Sequence, residues 1–170
     1  MLEQDFTDAI ALLKADHRKV EQLFAAFEEA KGASRKEALA KEICTELKIH
    51  TLLEEENFYP ALKGKIEQDL LDEAYVEHDG AKVLVNDIEA GGPDEAYYDA
   101  KVKVLSEEIE HHVKEEEQPS EGMFAQARKT DVDLVDLRDR MLARKQELMT
   151  QAEAGGLPPA QLTAVDASAA

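Results

Sequence analysis

Four stretches of this chain set apolar side chains alternately three and four residues apart, and each carries one histidine on the same stripe. The first, from about Phe6 to Lys31, holds Ile10, Leu13, His17, Val20, Phe24 and Phe27. The second, from about Arg35 to Tyr59-Pro60, holds Ala40, Ile43, Leu47, His50 and Glu54. The third, from about Ile66 to Glu89, holds Leu71, Ala74, His78, Ala81, Val85 and Ile88, and the fourth, from near Asp94, holds Lys101, Val102, Leu105, Ile109, His112 and Glu116. Spacing of this kind is the signature of an amphipathic helix with one buried face. Gly32, Gly64 and Gly91-Gly92-Pro93 separate the stretches, and Ser34 with Glu37 reads as a capping box opening the second. Pro60 is expected to end or kink that second helix. No stretch alternates with period two, so no sheet is expected. The spacing predicts an all-α fold, an up-down-up-down four-helix bundle.

Residues 1–128 form the expected bundle domain, with a short helical turn from Met123 to Arg128. Residues 129–151 carry Leu134, Leu137, Met141 and Leu148 on one side and read as an additional C-terminal helix. Two roles fit it: packing across the bundle, or pairing with a protein partner or a second copy. Residues 152–170, with Gly155-Gly156-Leu157-Pro158-Pro159 and an Ala/Ser-rich end, read as a disordered tail.

Charge and apolar content narrow the function. A net charge of −18 opposes sequence-independent nucleic-acid binding and association with anionic membranes. No apolar run approaches the roughly 18 residues of a membrane span, and Met1-Leu2-Glu3-Gln4-Asp5 is unlike a signal peptide, so a cytoplasmic protein is expected. A single cysteine, Cys44, leaves no disulfide and no thiolate metal site, and reads as a half-buried hydrophobe. No phosphate-binding glycine loop and no Ser-His-Asp or Cys-His motif is present.

His50 and Glu54 lie four residues apart, and so do His112 and Glu116, which puts each pair on one helix face. A hydrogen bond within one helix would satisfy a lone pair of this kind. One inward histidine on every helix of a bundle is harder to ascribe to packing, because histidines are mostly partly exposed. Four imidazoles and two carboxylates are a suitable donor set for two first-row metal ions, iron or manganese, with zinc also able to occupy it. His17, His50, Glu54, His78, His112 and Glu116 are therefore the expected ligands, with positions left for an oxo or hydroxo bridge and a small ligand. Glu55, Glu56, Glu115 and Glu117 fall off the stripes and read as a solvated face, and His111 as an outer or surface residue. Tyr59, Tyr75 and Glu77 fit either hydrogen-bonding support of the histidines or a surface position.

The Asp16-His17 pair with Val20, the run from His50 through Glu54-Glu55 to Phe58-Tyr59-Pro60, Glu77-His78, and His111-His112 through Glu117 together resemble the hemerythrin-like HHE cation-binding family, over about Ala9 to Phe124. The resemblance implies a bundle around a non-haem di-iron centre, with the four histidines as terminal ligands and Glu54 and Glu116 bridging. Oxygen-carrying members place a second histidine four residues from that of the third helix; here those positions are Ala74 and Lys82. Their last carboxylate lies five residues after the fourth-helix histidine, which here is Glu117. The expected function is binding of, or reaction with, O2, NO or peroxide for sensing, storage or stress protection. The alternative is an iron-buffering or metal-responsive regulatory module without ligand turnover.

Overall fold

The structure, a computed structural model, describes residues 5–166. Helices α1 (Ala9–Glu29), α2 (Ala33–Leu53), α3 (Tyr59–Leu62), α4 (Gln68–Ala90), α5 (Tyr98–Glu117), α6 (Met123–Ala127) and α7 (Leu134–Gly155) follow one another, with a π-helical turn at Glu54–Phe58 joining α2 to α3. No strand occurs among the described residues. None of the described helices is long and apolar enough to cross a membrane.

The bundle is made of α1, α2, α4 and α5, in contact around a closed ring. Every apolar stripe residue named above is buried. These side chains form two apolar clusters. One contains Ile10, Leu13, Leu53, Phe58, Leu62, Leu71 and Phe124, and the other Val20, Phe24, Phe27, Ile43, Leu47, Val85, Leu105 and Ile109. Along α1 and α4 the chain passes from the first cluster to the second, along α2 it returns, and after α5, which lies in the second, α6 places Met123 and Phe124 in the first, which gives the up-down-up-down order. On α1, α2 and α4 the histidine lies where one cluster gives way to the other, and on α5 His112 lies near the end that leads to the first, so a polar layer crosses the core.

Local chemistry sets the boundaries. Asp8 caps α1 by accepting the Ala11 N–H at 2.9 Å. The expected Ser34 cap does not form: Gly32, at φ 90°, turns the chain directly into α2, and Ser34 falls inside the helix. Pro60 does not itself end the second helix, which runs on through a π turn into α3 and stops after Leu62. It has no N–H for the Glu56 carbonyl and its ring crowds that carbonyl, and the widened π turn, in which the Tyr59 N–H reaches Glu54 O, relieves both.

α7 packs across α1, α2 and the π turn, with Leu137, Met141 and Leu148 in the first cluster. Of its two expected roles, packing on its own bundle is the one seen. The expected disordered tail is corrected in part. Residues 152–155 complete α7, and 156–166 run back along the bundle, held by side chains that compensate for their lack of regular structure. Lys48 donates to the carbonyls of Leu157 (3.4 Å) and Pro158 (3.1 Å), and Asn86 exchanges two hydrogen bonds with Ala160. Asp79 accepts the N–H groups of Thr163, Ala164 and Val165. Residues 167–170 of that tail, and 1–4 of the acidic N-terminus, lie outside the described residues.

Candidate metal centre

The polar layer contains His17 from α1, His50 from α2, Glu54 from the π turn, His78 from α4, and His112 and Glu116 from α5, all buried. The helical period puts them there: each occupies the next stripe position after, or before, a buried apolar residue. The π turn adds Tyr59. Bonding of residue 59 back to residue 54 stacks the tyrosine one wide turn beyond Glu54, on the same inward side. Its hydroxyl donates to Glu116 Oε1 at 2.8 Å and lies 3.2 Å from His78 Nε2.

The imidazoles are arranged as two matched pairs. Nε2 of His17 is 3.2 Å from Nε2 of His50, and Nε2 of His78 is 3.2 Å from Nε2 of His112. Both pairs have ring centroids 4.8 Å apart and planes at 62°. The carboxylates stand between the pairs. Glu116 directs Oε2 to His17 Nε2 and Oε1 to His112 Nε2, each at 3.3 Å. Glu54 Oε1 is 2.8 Å from His50 Nε2 and 3.3 Å from His78 Nε2.

This geometry fits cations. Two imidazole nitrogens facing each other at 3.2 Å repel unless a proton or a metal lies between them. Two ligands at about 2.1 Å from one ion, at a right angle, are about 3 Å apart, close to both separations. Both Glu54 oxygens and Glu116 Oε2 are buried without a well-directed hydrogen bond, although nitrogens lie close by. Buried carboxylates rarely stay in that condition without an ion. The donor atoms divide into two groups, His17, His50 and Glu116, and Glu54, His78 and His112, each gathered within 4.8 Å.

The electrostatics of the layer make the same demand for positive charge. Burial works against a charged His50, but the Glu54 charge and the Asp16 hydrogen bond raise its pKa to about 10. His112 is likewise raised well above the usual range against its burial, chiefly by Glu116. Burial would raise Glu54 and Glu116, and each also feels other charges, yet the surrounding histidines hold both low. Protons thus supply in the metal-free layer the charge that metal ions would bring, and metal must displace them.

A second ring of carboxylates holds the outer Nδ1 atoms of three histidines and faces that of the fourth. His17 Nδ1 donates to Glu117 at 2.8 Å, His50 Nδ1 to Asp16 at 3.3 Å and His112 Nδ1 to Glu77 at 3.1 Å. His78 Nδ1 faces Glu55 at 3.5 Å. A proton on Nδ1 leaves the Nε2 lone pair for the centre, the arrangement that orients ligating histidines. Cations back these carboxylates: Arg18 on Glu117, Lys145 of α7 on Asp16, and Lys82 on Glu55.

The structure brings all six expected ligands together, with Glu77 and Tyr59 beside them. Sequence reasoning missed the supporting positions of Asp16, Glu55 and Glu117, since two of these read as solvated face. The signal available was adjacency: each is next in sequence to His17, Glu54 or Glu116. Glu117 bonds the outside of His17 and does not enter the inner cluster. His111 is exposed, 3.4 Å from Glu77 and 3.2 Å from Glu115. Tyr75 packs its ring on Tyr59. Cys44 is fully buried, and burial pushes its thiol up to about 12, leaving an inert side chain.

A sequence profile described as the hemerythrin HHE cation-binding domain matches residues 8–124. The crystal structure of a hemerythrin HHE cation-binding domain-containing protein from Mycobacterium kansasii superposes with a TM-score of 0.71 at 23% identity, covering 89% of this chain and 95% of that one. That likeness is one of fold. No curated protein matches the chain. With the profile spanning all four bundle helices and every residue of the polar layer, the chain belongs to the hemerythrin HHE cation-binding family.

Proposed function

We propose that this protein holds two iron ions in the polar layer and uses them, in the cytoplasm, to bind or react with O2, NO or peroxide, in sensing, storage or stress protection. The observation that carries this reading is a cavity of about 20 Å³ against the imidazoles. His17, His50, His78 and His112 line it together with Val20, Leu47, Ile109 and Val113, and Asp16, Glu46 and Thr51 complete the lining. A space of that size takes one water-sized or diatomic molecule. The four aliphatic side chains suit a small, weakly polar guest.

A bound iron pair would supply open coordination positions and one-electron redox chemistry. His17 with His50, and His78 with His112, would hold one ion each, while Glu54 and Glu116 would span both and offset their charge. Asp16, Glu77 and Glu117 fix the rings, and the Tyr59 hydroxyl, its pKa raised by burial and by Glu116 and Glu54, remains protonated as a donor at Glu116. Zinc or manganese would fit the same donors.

The test is to load the protein with iron anaerobically and record its visible spectrum on adding oxygen, nitric oxide or peroxide, in the parent and in Ile109→Phe, which fills the cavity. Spectral changes in the parent, weakened in the variant at equal iron content, are expected. An iron-loaded parent inert to all three would overturn the reading.

A metal-responsive regulatory role is favoured by one contact. Lys82 joins Glu55, beside His78, to Thr163 of the C-terminal segment, with Nζ 3.0 Å and 3.1 Å from them. Loss of metal with release of that segment, and no reaction with any of the three ligands, would select this reading.

A further inference from the structure

Outside the polar layer a cavity of about 770 Å³ lies between α2, the π turn, α4, α7 and residues 157–164. That volume is in the range of small-molecule sites. Its roof is irregular backbone that would be expected to collapse onto the apolar wall beneath it. Three features prevent this. Pro158-Pro159 stiffens the roof, since proline fixes φ. Lys48 holds one end through the Leu157 and Pro158 carbonyls, and Asn86 holds the middle at Ala160. Buried Asp79 holds the far end through three successive backbone N–H groups. The cavity is therefore built into the fold.

Its charges define what it accepts. Lys48 is paired with Glu89, Lys82 with Glu55 and Asp79, and Arg144 with Glu56. An anionic ligand would have to break one of these pairs, and the one lining charge outside them, Asp72, already accepts from Gln68 at 2.8 Å. Much of the remaining wall is apolar, including Leu52, Val76, Leu148 and Leu157, with uncharged polar groups on Tyr75 and Gln151. We propose that this cavity is a binding site, separate from the metal centre, for an uncharged and mainly apolar small molecule.

The test uses N-phenyl-1-naphthylamine, a neutral probe whose fluorescence rises in apolar surroundings, with the full metal-loaded chain. One probe per chain is expected, with micromolar affinity. Val76→Trp puts bulk into the cavity from a half-exposed position, whereas Val83→Trp, similarly exposed on the same helix, does not line it. The first should weaken binding at least tenfold and the second should leave it unchanged. Octanol should displace the probe at lower concentration than octanoate. No binding, several probes per chain or equal affinity in Val76→Trp would overturn the site, and stronger displacement by octanoate would overturn the ligand class.

Discussion

Asp16→Asn separates support of the metal centre from support of the fold. The Asp16 carboxylate accepts from His50 Nδ1 at 3.3 Å and is paired with Lys145. Burial would raise its pKa, but these two partners keep it low and ionised. The amide retains the shape and removes the charge, weakening His50 as a donor. Loss of such a supporting carboxylate lowers metal affinity about 10–100-fold, or about 1.4–2.8 kcal/mol. The effect on folding is read separately, because Asp16 also supports the charged His50 in the metal-free protein while Lys145, 18% exposed, can turn to water. Because His50 belongs with His17 and not with His78 and His112, one ion should leave first. The assay is competition with a calibrated chelator, following metal release per chain, beside thermal unfolding of the metal-free protein. Lys114→Gln, which breaks an exposed pair with Glu110, is the control. Affinity within twofold of the parent for both ions, with the fold intact, would refute the assignment of Asp16 as support for a ligand.

Metal-free stability should fall as pH rises. The folded pKa values of His17, His50 and His112 lie above the unfolded value near 6.5, so their contribution is complete below about 6.5 and is lost as pH climbs toward about 10, where His50 titrates. Glu54 and Glu116 are lowered, so their contribution is present above about 4.5 and is lost on acidification; metal-free melting temperature should be highest between the two limits. Added metal should instead raise the melting temperature more at pH 8 than at pH 6, since it displaces protons, and a pH-independent increment would contradict this. Met141→Ala on α7, fully buried, should cost about 2–5 kcal/mol in urea unfolding, whereas a helix only loosely attached to the bundle would show under 1. Lys82→Met leaves Glu55 and Asp79 without their cation, so a loss of about 3–5 kcal/mol and faster proteolysis within residues 157–165 are expected, and parental resistance to protease would count against the anchoring described here.

The bundle and its polar layer were legible because they obey one period. A histidine or glutamate that takes an apolar residue's place at the spacing of His17, His50, Glu54, His78, His112 and Glu116 stands out against the stripe. The carboxylate ring was not legible. Asp16, Glu55 and Glu117 lie beside the stripe among 38 acidic residues, where most positions of that kind are solvated, and only their partners across the bundle distinguish them. The π turn depends on how Pro60 is relieved, and spacing allows an ended, kinked or widened helix equally. The C-terminal segment has the composition of disorder, and what orders it is long-range: Lys48, Asp79 and Asn86 resemble surface residues of their helices until residues 157–165 arrive above them.

Metal content per chain tests most directly whether the six side chains hold two ions. Protein loaded with excess iron and freed of loosely bound metal should retain about two iron ions per chain. Glu54→Ala with Glu116→Ala should retain fewer than one while remaining helical by circular dichroism. A parent that keeps one ion or none, fully folded, would contradict the paired centre and leave the buried histidines with a structural role alone.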